Sequence, residues 1–357
     1  MSLALAVEID GEGAHPAAWR RAGHPPAELL GPRRVRHVAE IAERAGFTLV
    51  TLDDDLLPPR GGGIAGRIGA VERAAFIAAS TSVLSVAPVV STTYAEPFHV
   101  ASQLASVDHI AAGRSGWVVA VSPGPAAAAA WGRPVADPAR EAQDAVRVVR
   151  ALWDSWEDDA VVRDVATGRY LDRDRLHYVD FAGAGYTVKG PAIVPRPPQG
   201  QLVVLAPRGL VPDDEVDVAL VGGADVDAVR RAVVATATPR TFAEVEVALD
   251  TAAADGADRV ADLDRHAPWP ASGRLRYTGS PGGLVGLLRD LGTRAGVDGV
   301  RLHPLVLGED LAVLSQFVVP ALIRAGAAAR PVPGTSLRQA LGLPRPQNRF
   351  ALPGGPA

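Results

Sequence analysis

The chain has 357 residues, 48% of them apolar, with a formal net charge of −4, a pI near 6.1 and no cysteine. That is enough apolar residue to close one large core. The lack of cysteine excludes disulfides, a thiolate nucleophile and a thiolate metal site. With no basic tract, the mild acidity also excludes a surface built to grip nucleic acid.

The opening run MSLALAVEID has no basic segment leading an apolar core, so no signal peptide is predicted. The longest apolar run, Ala126–Trp131, is far too short to cross a bilayer. A soluble, cytoplasmic protein with no membrane partner is expected.

Strand and helix signals then alternate. Leu3–Ile9 reads as the first strand, and Val35–Ala45 carries Val38, Ile41, Ala42 and Ala45 at helical spacing. Leu49–Leu52 is the second strand, closing in Asp53, Asp54 and Asp55, and a helix from about Arg67 to Ala79 follows. Val83–Val90 is valine-rich and mostly apolar, as a strand buried on both faces should be. Phe98–Ala111 is helical, Gly116–Val121 is the fourth strand, and Ala142–Trp153 is helical. Later strands are predicted at Leu202–Leu205, Val216–Val221, Val245–Leu249 and Gly299–Leu302. About eight strands in βα units define an α/β protein, a (β/α)8 TIM barrel in one domain over residues 1–357. An open doubly wound sheet is the alternative, disfavoured because no strand leads into a G-x-G-x-x-G turn.

Two stretches break the rhythm. Residues 157–200 form a polar, tyrosine-bearing excursion with a small hairpin, of the kind that serves barrels as a lid or interface. The tail from Gly334 onwards is the second. Trp153 and Trp156 are read as anchors of the excursion. Asp53, Asp54 and Asp55 alternate in direction at a strand end, so they cannot converge on one metal, and no metal is expected. His99 and His109 sit on a helix and read as packing or capping residues, whereas His303 follows the last strand and is a secondary site candidate. Gly61-Gly62-Gly63 and Gly282-Gly283 lack the Gly-Lys-Ser/Thr ending of a phosphate loop. Ser280-Pro281 reads as an N-cap with proline at the first helical position.

Four blocks carry a resemblance. They are His15-Pro-Ala-Ala-Trp19-Arg20; Ser91-Thr-Thr-Tyr-Ala-Glu-Pro97-Phe-His99 with Leu104-Ala-Ser-Val-Asp108-His109 and Gly113-Arg114-Ser-Gly-Trp117; Leu152-Trp-Asp-Ser-Trp156 with Lys189-Gly-Pro and Pro195-Arg-Pro-Pro-Gln-Gly200; and Gly334-Thr-Ser-Leu-Arg338 with Gly342-Leu-Pro-Arg-Pro-Gln-Asn348. In this order the chain resembles the bacterial luciferase-like, flavin-dependent monooxygenases, in their nitrilotriacetate and dibenzothiophene-sulfone branch. The resemblance implies a TIM barrel that binds reduced FMN supplied by a separate flavin reductase. Oxygen then adds to the flavin, and the peroxyflavin attacks a small organic substrate. It also implies a homo-oligomer or a pairing with a paralogous barrel. FMN against a deazaflavin stays open.

By alignment, Asp54, Thr92 and Thr93 are cofactor contacts, Ser122 carries the hydroxyl that faces the peroxide, and His15 is either a substrate-side hydrogen-bond donor or a loop residue packed under Trp19. The departures are Val118 for an Asn, Val121 for a Thr, Val135 for a His and Ala139 for a Tyr. The fifth strand ends in Val204-Leu-Ala-Pro-Arg208-Gly-Leu-Val-Pro, without the family's phosphate-binding Ser, and Arg208 is read either as a replacement phosphate partner or as a surface arginine in a clipped loop. These losses keep a second expectation alive, that of a barrel with weak or no flavin binding that acts as a non-catalytic subunit or binding protein.

Overall fold

The computed structural model describes residues 2–57 and 66–351; the Gly61–Gly63 run lies outside them. Eight parallel strands form the barrel: β1 (Ala4–Glu8), β2 (Leu49–Leu52), β3 (Ser85–Ser91), β4 (Gly116–Ala120), β5 (Val203–Pro207), β6 (Val218–Val221), β7 (Arg240–Leu249) and β8 (Gly299–Pro304). Hydrogen bonding runs β6-β5-β4-β3-β2-β1-β8-β7, and β7 closes the ring on β6 through Val218↔Arg240 to Val221↔Ala243. The predicted barrel and all eight predicted strands are present.

Side chains alternate across each strand. One set faces the barrel axis: Ala6, Leu49, Ala87, Val89, Val118, Val203, Leu205, Val218, Leu220 and Phe242 form a closed inner core. The other set, including Leu5, Val50, Val86 and Val300, packs outward on the helix ring. Among these helices are α1 (Pro32–Ala45), α2 (Ala70–Ser80) and α3 (Pro97–Ile110). Next come α4 (Pro125–Trp131), in the alanine-rich stretch for which no helix was predicted, and α5 (Pro138–Asp154). Both α3 and α5 begin at a carboxylate cap followed by proline, Glu96-Pro97 and Asp137-Pro138, which satisfies first-turn N–H groups and presets φ. Ser280 caps the helix Pro281–Asp290 in the same way, as the sequence predicts.

The bottom of the barrel is stoppered by the tail. Ser336 and Gln339 form a capping box over a short helix, Leu337–Ala340, which drives Leu337 and Leu341 into the inner core with Leu343. Gly116 makes room: a Cβ there would stand 3.0 Å from Leu337 Cδ2 and 3.0 Å from the Val203 carbonyl oxygen. Arg338 locks the plug, donating to the carbonyls of Gln201 (2.7 Å) and Leu202 (3.3 Å) and pairing with Asp217 (3.0 Å). Leu337 is fully buried, so Leu337→Ala should destabilise the fold by about 2–5 kcal/mol in chemical denaturation.

The excursion holds two small hairpins, Val161–Asp164 with Arg169–Leu171 and Phe181–Ala182 with Thr187–Val188. Trp156 anchors it by donating Nε1–H to Ala192 O (2.7 Å), whereas Trp153 is committed to α3, donating to Ala101 O (3.1 Å). One further strand, Leu275–Gly279, was not predicted. It pairs with the C-terminal half of β7, from Val245↔Leu275 to Leu249↔Gly279, beyond the point where β6 has stopped. It raises the wall on that side of the barrel mouth.

Candidate active site

The inward-facing positions change character along each strand. Below lie alanines, valines and leucines. At the C-terminal ends the same faces carry Glu8 (β1), Thr51 (β2) and Asp53 just beyond it, Ser91 (β3), Ser122 beyond β4, Glu244 and Glu246 (β7), and Arg301 and His303 (β8). This is the face on which barrel enzymes place their chemistry.

Arg301 is the hub. It is 5% exposed and donates to Glu8 Oε2 (2.6 Å), Glu244 Oε1 (3.0 Å) and Thr51 Oγ1 (2.9 Å). Thr51 in turn donates to Glu8 Oε2 (2.7 Å), and the N–H groups of Asp10 and Asp53 both donate to Glu8 Oε1 (3.0 and 2.9 Å). His303 shares Glu244 Oε1 at 3.2 Å. The unpredicted strand contributes Arg276, 2.7 Å from Glu246 Oε2, and Arg274, 3.6 Å from Glu244 Oε1.

Burial pushes the Glu8 and Glu244 carboxyls up, but nearby cations and hydrogen bonds outweigh it. Arg301 leads for Glu8, which falls below its ordinary value. For Glu244 the bond to His303 and the charge of Arg301 bring the pKa to about 2. Burial, followed by the charge of Arg301, lowers His303 and outweighs its bond to Glu244, so His303 is neutral at pH 7. The sequence flagged His303 alone of this set as a possible site residue.

A second polar group stands at the ends of β3 and β4. Ser122 donates Oγ–H to Ser91 Oγ (3.1 Å), and its N–H donates to Thr93 Oγ1 (3.0 Å). Thr93 is fully buried; Thr92 is turned away to Ala120 O (3.1 Å). Ser122 and Thr93 therefore come together, joined by a Ser91 to which the sequence assigned no role. Of the departures, Val118 is inner core and Val121 faces outward into the packing with α3 and α5.

The remaining predicted site residues stand elsewhere. Asp54 Oδ2 accepts the N–H of Ala70 (2.7 Å) and so caps the start of α2. Its neighbour Asp53 is the residue with the inward parity. His15 is 2% exposed; its Nδ1 accepts from Ala17 N–H (3.0 Å), which leaves the proton on Nε2 to donate to Asp264 Oδ1 (3.0 Å). It packs on Trp269, ring centroids 5.7 Å apart, and not under Trp19, which is 41% exposed. Both ring nitrogens are thus taken, and His15 joins the loop after β1 to the helix Gly256–Asp264. Arg208 is exposed at the end of β5, in a tight turn closed by Leu210 N–H to Pro207 O (3.1 Å). Gly209, at φ 80°, takes the left-handed position that such a turn requires of its third residue. Among the described residues the Arg208 guanidinium has no partner. Likewise no group of three or more His, Cys, Asp or Glu side chains is arranged to hold a metal, and no helix is long and apolar enough to cross a membrane.

Comparison with known proteins agrees with this geometry. The profile of the luciferase-like monooxygenase family matches residues 13–268. The chain belongs to that family. Dibenzothiophene-sulfone monooxygenase of Rhodococcus erythropolis is 36% identical over 215 residues, 54% of this chain and 47% of the relative. Nitrilotriacetate monooxygenase component A of Aminobacter aminovorans is 38% identical over 146 residues, 40% of this chain and 32% of the relative. The chain therefore spans about half the length, or less, of these curated relatives. Among solved structures, a long-chain alkane monooxygenase superposes with a TM-score of 0.82 at 19% identity, covering 96% of each chain, which is a likeness of fold.

Proposed function

We propose that this chain is the oxygenase component of a two-component system, which takes reduced FMN from a separate flavin reductase and oxygenates a small organic molecule. The observation that carries this reading, within a family of luciferase-like monooxygenases, is the hydroxyl cluster Ser91–Ser122–Thr93 at the ends of β3 and β4, with an unpaired Arg208 at the end of the neighbouring strand β5. These groups fit a flavin. An exposed guanidinium suits a phosphate, and hydroxyls backed by a barrel wall suit the polar edge of a ring system that must be kept from bulk water.

Bound there, reduced FMN would supply the activation of O2 that no side chain here provides. The chain's own residues do the rest. Arg208 holds the phosphate. Thr93 fixes the Ser122 backbone, and if Ser91 reverses its bond to donate its own Oγ–H to Ser122 Oγ, the Ser122 Oγ–H is released to donate at the reacting edge. His303, neutral and with its Nε2–H held by Glu244, has Nδ1 available to accept a proton from substrate. His15 and Asp54 position loops and helix α2 and have no direct role in this reading.

The test is oxygen uptake by the purified chain with FMN, NADH and a flavin reductase, measured against the reductase alone, across a set of organic sulfur, amine and carbonyl compounds. Substrate-dependent oxygenated product supports the reading. A second reading, a barrel that serves as a non-catalytic partner, is favoured by the apolar Val118 and Val121 in place of hydrogen-bonding residues; it requires that no compound gives product and that the chain pairs with an active relative.

A further inference from the structure

A pocket lies between the barrel wall and the helix ring. Its apolar walls are Ile9 and Leu52 at the ends of β1 and β2, Val35 and Val38 on α1, Leu29 in the 3-10 turn Pro26–Leu30, and Ile68. Ile9, Val38 and Leu52 belong to the outer packing layer, so the pocket is separate from the inward-facing groups of the mouth. Ile68, 38% exposed, stands where the pocket meets solvent.

Three arginines also line it, Arg34, Arg67 and Arg73, against one carboxylate, Asp10, among the described residues. A guanidinium carries five N–H donors, and these three leave several unspent. Arg34 makes both of its bonds through Nη2, to Gly11 O (2.9 Å) and Glu12 Oε2 (2.8 Å); its Nη1 and Nε donate to nothing among the described residues. Glu12 is not in the pocket lining and also meets His24 Nε2 at 2.9 Å. Burial holds the Arg34 pKa below its ordinary value in spite of Glu12 and Glu28, so its charge is under-compensated.

Arg67 has only loose ion pairs, 3.4 Å to Asp10 and 3.7 Å to Asp54, outside good hydrogen-bond geometry. Arg73 is 7% exposed. It gives Nη1 to Asp10 and Nη2 to Asp53 O (2.7 Å), while its buried Nε–H has no acceptor among the described residues. A buried N–H without a partner is costly, and an absent ligand is one reason for such a vacancy. Surplus guanidinium donors beside apolar walls are the chemistry that recognises a carboxylate on a hydrocarbon body. The forks pair with its oxygens, and the walls take the rest.

We propose that this pocket binds an organic monocarboxylate, its oxygens on the free N–H groups of Arg34 and Arg67 within the charge of Arg73, and its apolar body against Ile9, Val38 and Leu52. The site lies outside the barrel axis and does not depend on the reading of the mouth as a flavin site. The probes are benzoate, benzamide and acetate, titrated into the purified full chain by calorimetry. Benzamide keeps the shape of benzoate without the charge, and acetate keeps the charge without the ring.

Benzoate should bind once per chain, at least about 10-fold more tightly than either of the others, a difference of about 1.4 kcal/mol. Arg34→Gln should remove that preference. Because Arg34 also holds Gly11 O, a melting curve must show that this variant folds. Two further variants keep the test open if it does not. Arg67→Gln gives up no hydrogen bond to a described residue, and Ile68→Glu sets a negative charge at the exposed edge of the pocket. Each should weaken benzoate about 10-fold. No binding of benzoate, equal binding of benzamide or acetate, or an affinity that survives both Arg67→Gln and Ile68→Glu would each overturn the proposal. Benzoate bound by a chain that takes no reduced FMN would leave this site standing and the oxygenase reading lost.

Discussion

Arg301→Met should destabilise the protein by about 3–5 kcal/mol at pH 7, because it removes the shared counter-charge of two buried carboxylates and leaves both behind. Glu8 and Glu244 lose partners at 2.6 and 3.0 Å, and Thr51 Oγ1 loses a donor at 2.9 Å. The pH dependence makes the prediction specific. In the parent, both carboxyls lie below their ordinary values, Glu244 at about 2, so their contribution is present above about pH 4.5 and lost only as pH falls through the folded value. In the variant, burial acts without the guanidinium and both carboxyls rise. Their charge then costs stability as pH increases, and the deficit against the parent should shrink as pH falls towards 4. Urea denaturation at pH 7.5, 6 and 4.5 reads this out. A deficit that is small and flat with pH would mean that Arg301 is not the hub of the network.

Ser122→Ala should leave the fold standing and lower product formation about 100-fold, the range seen when a single preorganised donor is removed from a reacting edge. The separation of effects follows from the contacts. The variant keeps the Ser122 N–H to Thr93 Oγ1 bond at 3.0 Å and loses only the Oγ–H donated to Ser91 at 3.1 Å. A half-buried hydroxyl of this kind contributes about 1 kcal/mol to stability. The measurement is turnover with saturating reduced FMN, together with a melting curve. Unchanged turnover removes the role assigned to Ser122, and a collapsed melting curve makes it a structural residue.

The barrel was legible in the sequence because parallel strands buried on both faces read as unbroken apolar runs such as Val83–Val90 and Gly116–Val121. The strand Leu275–Gly279 was not. Its residues alternate between buried and exposed, and Arg-Tyr-Thr-Gly carries little apolar signal. The short helix Pro125–Trp131 was passed over because alanine is common throughout the chain.

The site was legible only in part, and the residues show why. Ser122 and Thr93, which align with cofactor contacts, lie side by side, whereas Asp54 and His15 are drawn into capping and packing bonds that no alignment reports. The ion network was missed although a signal existed. Glu244-Val-Glu246 on β7 and Arg301-Leu-His303 on β8 place charge at a period of two inside otherwise apolar strands. That spacing puts both members on one face, and in a barrel strand the face that tolerates charge is the mouth. Applied to Asp53 and Asp54, the same parity argument separates the inward carboxylate from the capping one.

The most direct test of the oxygenase reading is an anaerobic titration of the purified chain with reduced FMN, followed by flavin fluorescence, with oxidised FMN and an Arg208→Ala chain alongside. The account predicts that the reduced form binds with a dissociation constant of about 1 µM or tighter, near −8 kcal/mol. It also predicts weaker binding of the oxidised form and a loss of affinity on removing the Arg208 guanidinium. Failure to bind either form would contradict it and make the barrel a partner in search of an active relative.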